Sequence, residues 1–364
     1  MTGKFDPSSV ANRPEPIEFM LDSPADRAVT TADIAQQLST KNESQILDYL
    51  DDLKKKVLEQ PKFVNNYAIA LLETLNLEDP NLSLELVERI NSFVKRIKDS
   101  YFIPQFLDHI KSFALTDDEV LSHKALVALT NSFYVVEEHL RPDIIATMRL
   151  AFRNAKGEQK EKVSDHLINI LKDKHTTQIE FSDETQDQLF GFALDTLGDN
   201  DHFVKRKTAS VLGNLALDCP NHLDTILVLS QNIMNDKSEL GRVVQDHFAK
   251  SIAGLSIAIN RLRPDYDAHS TEIRVEALSH IISNLVNHET DFARKKAVFK
   301  LDTVYENVPE LRNEIEKTLR RLERDPSEYV RRAVSETQTN IANFNAGIIP
   351  ERSMGIKPLG RNDR

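Results

Sequence analysis

Apolar residues recur along the chain at spacings of four and eight positions, which places them on one stripe of an α-helix. Seven such stripes follow one another, each beginning at an apolar anchor residue. The anchors are 37 to 49 residues apart: Leu82, Leu121, Val163, Val204, Val244, Ala293 and Val330. A pattern that repeats at nearly constant spacing indicates a helical repeat protein rather than one globular core.

Prolines mark a second series about half a period away from the anchors. They lie 43, 38, 78, 44 and 45 residues apart: Pro61, Pro104, Pro142, Pro220, Pro264 and Pro309. Proline suits the first turn of a helix, where the amide that it lacks has no intrahelical partner. Each period therefore contains two helices, an A helix opened by proline and a B helix opened by an acidic residue. The sequence predicts an all-α fold of about seven helical hairpins.

The pattern also sets the expected boundaries. Residues 1–30 hold four prolines without helical periodicity, so we expect disorder there. Residues 31–342 form the predicted solenoid, with an N-terminal helical cap at 31–58, where Asn42 and Gln45 have capping-box spacing, and repeats at 59–342. The tail 343–364 loses the pattern, and its interpretation stays open between a disordered end, a cap on the last repeat and a docking motif.

The starts of the B helices resemble the HEAT/armadillo class of helical repeats. The stretches that carry the resemblance are "DNDHFVKRKTASVLGNLAL" (199–217), "HETDFARKKAVFKLDTV" (288–304) and "DPSEYVRRAVSETQTNI" (325–341). The resemblance implies a right-handed α-α superhelix (HEAT-like solenoid) whose B helices line a concave groove. Such solenoids serve as scaffolds, adaptors and transport factors, and only occasionally as enzymes, so the resemblance is informative on fold more than on function.

Composition limits the class of protein. The chain has a net charge of -11 and no tryptophan, and its one cysteine, Cys219, excludes an internal disulfide framework. The polar start "MTGKFDPSSV" lacks the apolar core of a signal peptide, and no apolar run reaches the length of a membrane span. We therefore expect a soluble, intracellular, cytoplasmic protein without membrane insertion.

Charged residues recur around three of the anchors. The cations Lys205, Arg294 and Arg331 each follow an anchor by one residue, while Asp201, Asp291 and Asp325 lie just ahead of the anchors. The favoured interpretation is structural: the acids cap the helix starts, and the cations bridge to an acid in the adjacent repeat to form an inter-repeat ladder.

A second set of cations points away from the buried stripe. Arg206, Lys295 and Arg332 are candidates for contact with another protein, and the alternative is a solvated face. Tyr266 and His269 are further partner-binding candidates because they lie on an extra loop, "RPDYDAHSTE", in the sixth unit. The expected partner is an acidic or phosphorylated protein segment. Nucleic acid is disfavoured because the sequence shows no concentrated basic face.

No catalytic signature is present. The 11 histidines have no pair at the spacing of a helical metal site, and neither a phosphate-binding glycine loop nor a nucleophile elbow occurs. The sequence thus predicts a non-enzymatic protein-binding scaffold or adaptor without metal or cofactor. The alternative hypothesis is an enzyme or maturation factor built on the same repeats, of the nucleic-acid repair or chromophore-attachment type.

Overall fold

The computed structural model describes residues 24–60, 63–77, 79–94, 102–173, 181–265 and 267–348. Within these ranges the protein is all-α, with no strand. The N-terminal segment up to residue 23 and most of the predicted tail, residues 349–364, lie outside the described residues.

The chain divides into two compact units, residues 1–144 and 145–364. The helices of the first unit are α1 (Pro24–Leu38), α2 (Glu43–Glu59), α3 (Val64–Leu75), α4 (Pro80–Val94), α5 (Ile103–Ala114) and α6 (Glu119–Phe133). Helix α7 (Arg141–Asn154) crosses the boundary. Those of the second unit are α8 (Glu158–Asp173), α9 (Asp183–Gly198), α10 (His202–Ala209), α11 (Leu212–Asp218), α12 (Leu223–Asn235), α13 (Glu239–Phe248), α14 (Ile252–Leu262), α15 (Ala268–Val286), α16 (Asp291–Asn307), α17 (Arg312–Leu322) and α18 (Glu328–Asn345).

After the first two helices, the described helices form the seven predicted hairpins. The A helices are α3, α5, α7, α9, α12, α15 and α17, and the B helices are α4, α6, α8, α10 with α11, α13 with α14, α16 and α18. Six of the seven anchors are buried, and only Leu121 is partly exposed. The apolar stripes are therefore buried as the periodicity requires, and each unit is a stack of helical hairpins.

Four of the six predicted prolines mark the start of A helices, in two ways. Pro61 lies outside the described residues, and Pro264 lies in a 3-10 turn that ends before α15, which Asp267 caps instead. Pro104 and Pro142 lie in the first turn of α5 and α7, as expected. Pro220 and Pro309 instead begin a single 3-10 turn that leads directly into α12 and α17. Both positions use the same property, since a proline ring fixes φ and removes an amide that would lack a partner.

The N-terminal region differs from the expected boundary. Helix α1 begins at Pro24, so the part of the predicted disordered segment from residue 24 onward is helical, again with proline in the first turn. The predicted capping box on α2 is confirmed. The amide of Gln45 donates to Asn42 Oδ1 at 3.0 Å, and the amide of Asn42 donates to Gln45 Oε1 at 3.1 Å. At the other end, α18 continues to Asn345, past the expected start of the tail.

Two of the B helices are interrupted, which the periodicity did not predict. The break between α10 and α11 lies beside the break between α13 and α14, where the Ser251 hydroxyl donates to the carbonyl of Ala209 at 2.7 Å. Gly213 and Gly254 also face each other there, so closely that a Cβ on Gly254 would lie 2.5 Å from the Gly213 carbonyl. The adjacent B helices thus pack backbone to backbone at this point.

The described helices include none that is both long enough and apolar enough to cross a membrane.

Candidate protein-binding surface

Three exposed aromatic side chains occupy the same position in repeats of the second unit. Phe203, Phe292 and Tyr329 each stand one residue before an anchor, at the beginning of α10, α16 and α18. Because the anchor points inward, its predecessor on the helix is turned about 100° away from the core. The exposed fractions are 38%, 43% and 62%. Large apolar side chains repeated on one surface are a mark of protein interfaces.

Each aromatic ring is covered by a cation. The Arg206 guanidinium carbon lies 4.2 Å from the centroid of Phe203, and Lys296 Nζ lies 5.5 Å from that of Phe292. Lys295 reaches into the next repeat, where its Nζ is 5.3 Å from the centroid of Tyr329. These distances are typical of cation–π contacts. Such contacts hold the charged groups in place and leave them able to contact an anion.

His247 on α13 joins the first two pairs. Its ring lies 6.4 Å from the ring of Phe292. Burial lowers the pKa of His247, and the positive charges of Arg206 and Lys250 lower it further against the opposing effect of Asp246. The histidine thus lies within the field of two cations. We call the following set the aromatic–cation row: Phe203, Arg206, His247, Phe292, Lys295, Lys296 and Tyr329.

Lys250 follows His247 by three residues along the chain. Burial lowers the pKa of Lys250, at the break between α13 and α14, and the charges of Lys296, Lys172 and Lys300 lower it further. None of the four has a carboxylate within ion-pair distance in the described ranges.

These four lysines come from three different repeats. Lys172 lies in the last turn of α8, Lys250 sits in a helix break, and Lys296 and Lys300 lie one turn apart on α16. The aromatic residues, in contrast, left a visible signal. Aligning the repeats on their anchors puts Phe203, Phe292 and Tyr329 in one column.

The structure separates the predicted partner-binding residues. Arg206 and Lys295 belong to the aromatic–cation row. Arg332 is 73% exposed and pairs with Glu328 on its own helix. His269 is exposed near Glu272, at the start of α15. Tyr266 lies outside the described residues. Two of the five thus come together on one surface.

Residues predicted for the ladder make several contacts between neighbouring repeats. Arg294 on α16 donates through Nε and Nη2 to the two carboxylate oxygens of Asp325, both at 2.9 Å. In the same pair of repeats, Ser327 Oγ donates to Asp291 at 2.8 Å. Arg331 donates instead to the carbonyls of Asp325 and Pro326, at 2.6 and 3.0 Å.

The stretch 201–207 shows a different arrangement. Asp201 caps α10 by accepting the amide of Phe203 at 2.7 Å. Lys205 forms no ion pair among the described residues. The pKa of Asp236 is lowered chiefly by the hydrogen bond from the Ser238 amide, and the charge of Lys205 lowers it further. Lys207 is the cation that bridges between repeats, with Nζ 2.8 Å from both Glu161 and Asp165 on α8.

Other candidate chemistry is held in structural contacts. A groove of about 470 Å³ lies between α12 and α15, but its buried cation, Arg274, forms two hydrogen bonds with Asp224 at 2.6 and 2.8 Å. In the part of the chain that the structure describes, no group of three or more His, Cys, Asp or Glu side chains has the arrangement of a metal site. Cys219 is buried.

Comparison with known proteins gives only distant likenesses of structure. No protein-family model matches the chain, and no curated protein does. A designed armadillo repeat protein, solved with a peptide called (KR)4, is 14% identical and covers 65% of this chain and 99% of its own, with a TM-score of 0.42. An engineered protein is 13% identical and covers 90% of this chain and 87% of its own, with a TM-score of 0.41.

Importin beta is 10% identical over 80% of this chain and 47% of its own, with a TM-score of 0.35. Likenesses of this degree carry no argument about function, which has to come from the surface itself.

Proposed function

We propose that the protein is a non-enzymatic scaffold or adaptor that binds an acidic segment of another protein across the B helices of its second unit. The observation that carries the proposal is the repetition of one pairing, an exposed aromatic ring under a cation, in the aromatic–cation row. A single exposed ring would need no explanation, since apolar atoms make up much of any protein surface. Three at the same repeat position form an extended surface.

The chemistry of the row favours an acidic partner with apolar side chains. Aromatic and arginine side chains dominate the binding energy of protein interfaces because they bury large areas and keep a polar contact. The cations Arg206 and Lys295 have no carboxylate within ion-pair distance among the described residues, so carboxylates of a partner can approach them. A net charge of -11 on the whole chain repels acidic proteins in general, which leaves this surface as the selective point of contact.

Repetition along the stack also suits an extended ligand. Three of the last four repeats carry an aromatic ring at this position, and the remaining one has Val243 there, so one extended peptide can contact several of these side chains in turn. Arg332 lies one helical turn from Tyr329 on α18, where it pairs with Glu328, and we include it as the third predicted contact. We place neither His269 nor Tyr266 in this surface, and the two stay separate candidates for partner contact.

A display experiment tests this proposal while the natural partner is still unidentified. Random peptides displayed on phage are selected on the purified chain, and the enriched peptides are measured by fluorescence anisotropy. We expect acidic peptides with aromatic or aliphatic residues to be enriched. The combined variant Arg206→Glu, Lys295→Glu and Arg332→Glu should weaken them more than about tenfold, equivalent to about 1.4 kcal/mol.

The control reverses three exposed cations elsewhere in the second unit: Arg261→Glu, Lys317→Glu and Arg324→Glu. It changes the net charge by the same amount and should leave binding within about twofold of wild type once long-range charge is screened by salt. Equal losses in both variants, or enrichment of basic peptides, would refute the proposed surface.

A further inference from the structure

We propose that residues 349–364 dock within the same chain, in the groove between α12 and α15. The proposal goes beyond the proposed function, because this groove lies between two A helices, whereas the aromatic–cation row lies on B helices. The sequence pattern leaves open whether the tail caps a repeat or docks elsewhere. The groove offers that tail a specific position in the second unit.

The groove has apolar walls that stay open among the described residues. Val228 on α12 and Ile273 on α15 line it, with 55% and 54% of their surface exposed. Leu227 and Ala277 complete the apolar lining. The volume of about 470 Å³ lies in the range of pockets that enclose a small ligand, so several side chains of a peptide can enter. Exposed aliphatic side chains that share one groove are typical of a binding surface.

Three amide side chains line the same groove. Gln231, Asn232 and Asn235 belong to α12, and none of their amide groups is held in a hydrogen bond among the described residues. An amide side chain can both donate and accept a hydrogen bond. The backbone of an extended segment has N–H and C=O groups that need such partners when they are buried. The lining therefore suits a peptide in extended conformation.

The A helices around the groove are acidic. Helices α9 and α12 contain no lysine or arginine, and α15 contains Arg274 alone, which donates to Asp224 on α12 at 2.6 Å. Glu272 and Glu276 remain exposed on α15, one turn apart. Residues 349–364 have two carboxylates and four cations, Arg352, Lys357, Arg361 and Arg364. Opposite charge therefore attracts this segment to the groove.

The order of residues in this segment also matches the groove. Pro350 and Pro358 favour extended backbone at the residues that precede them. Met354 and Ile356 are two positions apart, so their side chains lie on the same side of an extended chain, and Lys357 lies on the other. The two apolar side chains can then pack on the apolar walls while the lysine faces the glutamates of α15.

Contacts between the last repeats place the groove within reach. The Arg312 guanidinium carbon, at the start of α17, lies 5.6 Å from the ring centroid of Phe344, near the end of α18. Glu314 on α17 accepts a hydrogen bond from Ser279 on α15 at 2.8 Å. The segment thus begins beside α17, and α15 is the adjacent A helix. Packed helices are about 8–10 Å apart, and the seven residues 349–355 span about 23 Å when extended, enough to bring Ile356 to the groove.

Disulfide trapping in the full chain tests the contact. Cys219 is the single cysteine and is buried, so a pair of introduced cysteines can be followed by mass spectrometry. With oxidised glutathione as the oxidant, Ile273→Cys combined with Ile356→Cys should form an intrachain disulfide. The matched control combines Ile356→Cys with Asn313→Cys, an exposed position on α17 that lies nearer to the end of α18. The control should react at least about tenfold more slowly, because a docked segment has a low effective concentration elsewhere.

Two results of this comparison would overturn the proposal. A segment without a fixed position would react with the nearer cysteine on α17 at least as fast as with the one in the groove. A disulfide between two chains, seen as a dimer that increases with protein concentration, would assign the groove to a second copy. Circular dichroism of the reduced variants excludes a difference in folding as the cause.

A charge reversal tests the attraction separately. Glu272→Lys with Glu276→Lys, added to the cysteine pair in the groove, should slow disulfide formation at least about tenfold at low salt and less at high salt. The control reverses two exposed carboxylates on B helices, Glu239→Lys and Glu336→Lys, which changes the net charge equally. Equal slowing in both variants would contradict docking at this groove. Neither variant alters the aromatic–cation row, so the outcome is independent of the proposed function.

Discussion

Arg294 and Asp325 are joined by two hydrogen bonds of 2.9 Å that connect helix α16 to the turn before α18. Both side chains are nearly buried, with 12% and 4% of their surface exposed. Arg294 also donates to the carbonyl oxygens of His288 and Glu289, at 2.7 and 2.9 Å. The guanidinium therefore binds the turn before α16 through backbone carbonyls and the turn before α18 through the Asp325 carboxylate.

Removing this arginine should destabilise the last repeats. Arg294→Gln leaves the Asp325 carboxylate with little access to water and without its partner, and we expect a loss of about 2 kcal/mol in the free energy of unfolding. Urea denaturation measures the loss, and hydrogen exchange should locate it in α17 and α18. Arg332→Gln is the control, since its exposed pair with Glu328 contributes about 0 to 1 kcal/mol. Similar losses in both variants would contradict the argument.

The same pair makes stability depend on pH. Burial raises the pKa of Asp325, but the hydrogen bonds from Arg294 and from the Ser327 amide outweigh it, so the pKa is lower than in the unfolded chain. The unfolded state then binds more protons in acid, and the stabilisation present above about pH 4 is lost as the pH falls through the folded pKa. Asp325→Asn should flatten the decline of the unfolding free energy below about pH 4. An unchanged acid slope would disprove the assignment.

The repeat pattern predicted the hairpins because the apolar residues that a helix buries recur with the period of the helix. The seven anchors, the positions of Pro104 and Pro142 and the capping box of Asn42 all follow from local rules. The sites depend on contacts between repeats, which no local rule provides. Arg294 was placed among the ladder residues because its position recurs. The break between α13 and α14, in contrast, lies where the sequence predicts one continuous B helix.

Lys207 and Lys205 provide a test of which cation connects the repeats. Burial lowers the pKa of Lys207, but its contacts with two carboxylates of α8 at 2.8 Å outweigh that effect and raise the pKa. Lys205 has no ion pair among the described residues. Lys207→Gln should therefore lower the free energy of unfolding by about 1 kcal/mol, and Lys205→Gln by less than about half of that.

High salt should reduce the difference between these two variants, because ions screen exposed pairs. Chemical denaturation in urea, repeated at low and high salt, makes the comparison. A larger effect of Lys205→Gln than of Lys207→Gln would show that Lys205, and not Lys207, makes the contact between the repeats.

The backbone contact between α11 and α14 should be the most sensitive position in the second unit. A Cβ added to Gly254 would lie 2.5 Å from both the carbonyl carbon and the carbonyl oxygen of Gly213. Backbone atoms in two packed helices cannot move aside as a flexible side chain can, so Gly254→Ala has to separate the helices. We expect a loss of about 3 kcal/mol or more.

Gly198 is the matched control for this change. It is the last residue of α9, and a Cβ there would meet nothing within 4 Å. Gly198→Ala should leave the protein as stable as wild type or stabilise it by up to about 1 kcal/mol, because alanine loses less conformational entropy in a helix. Thermal melts compare the two variants.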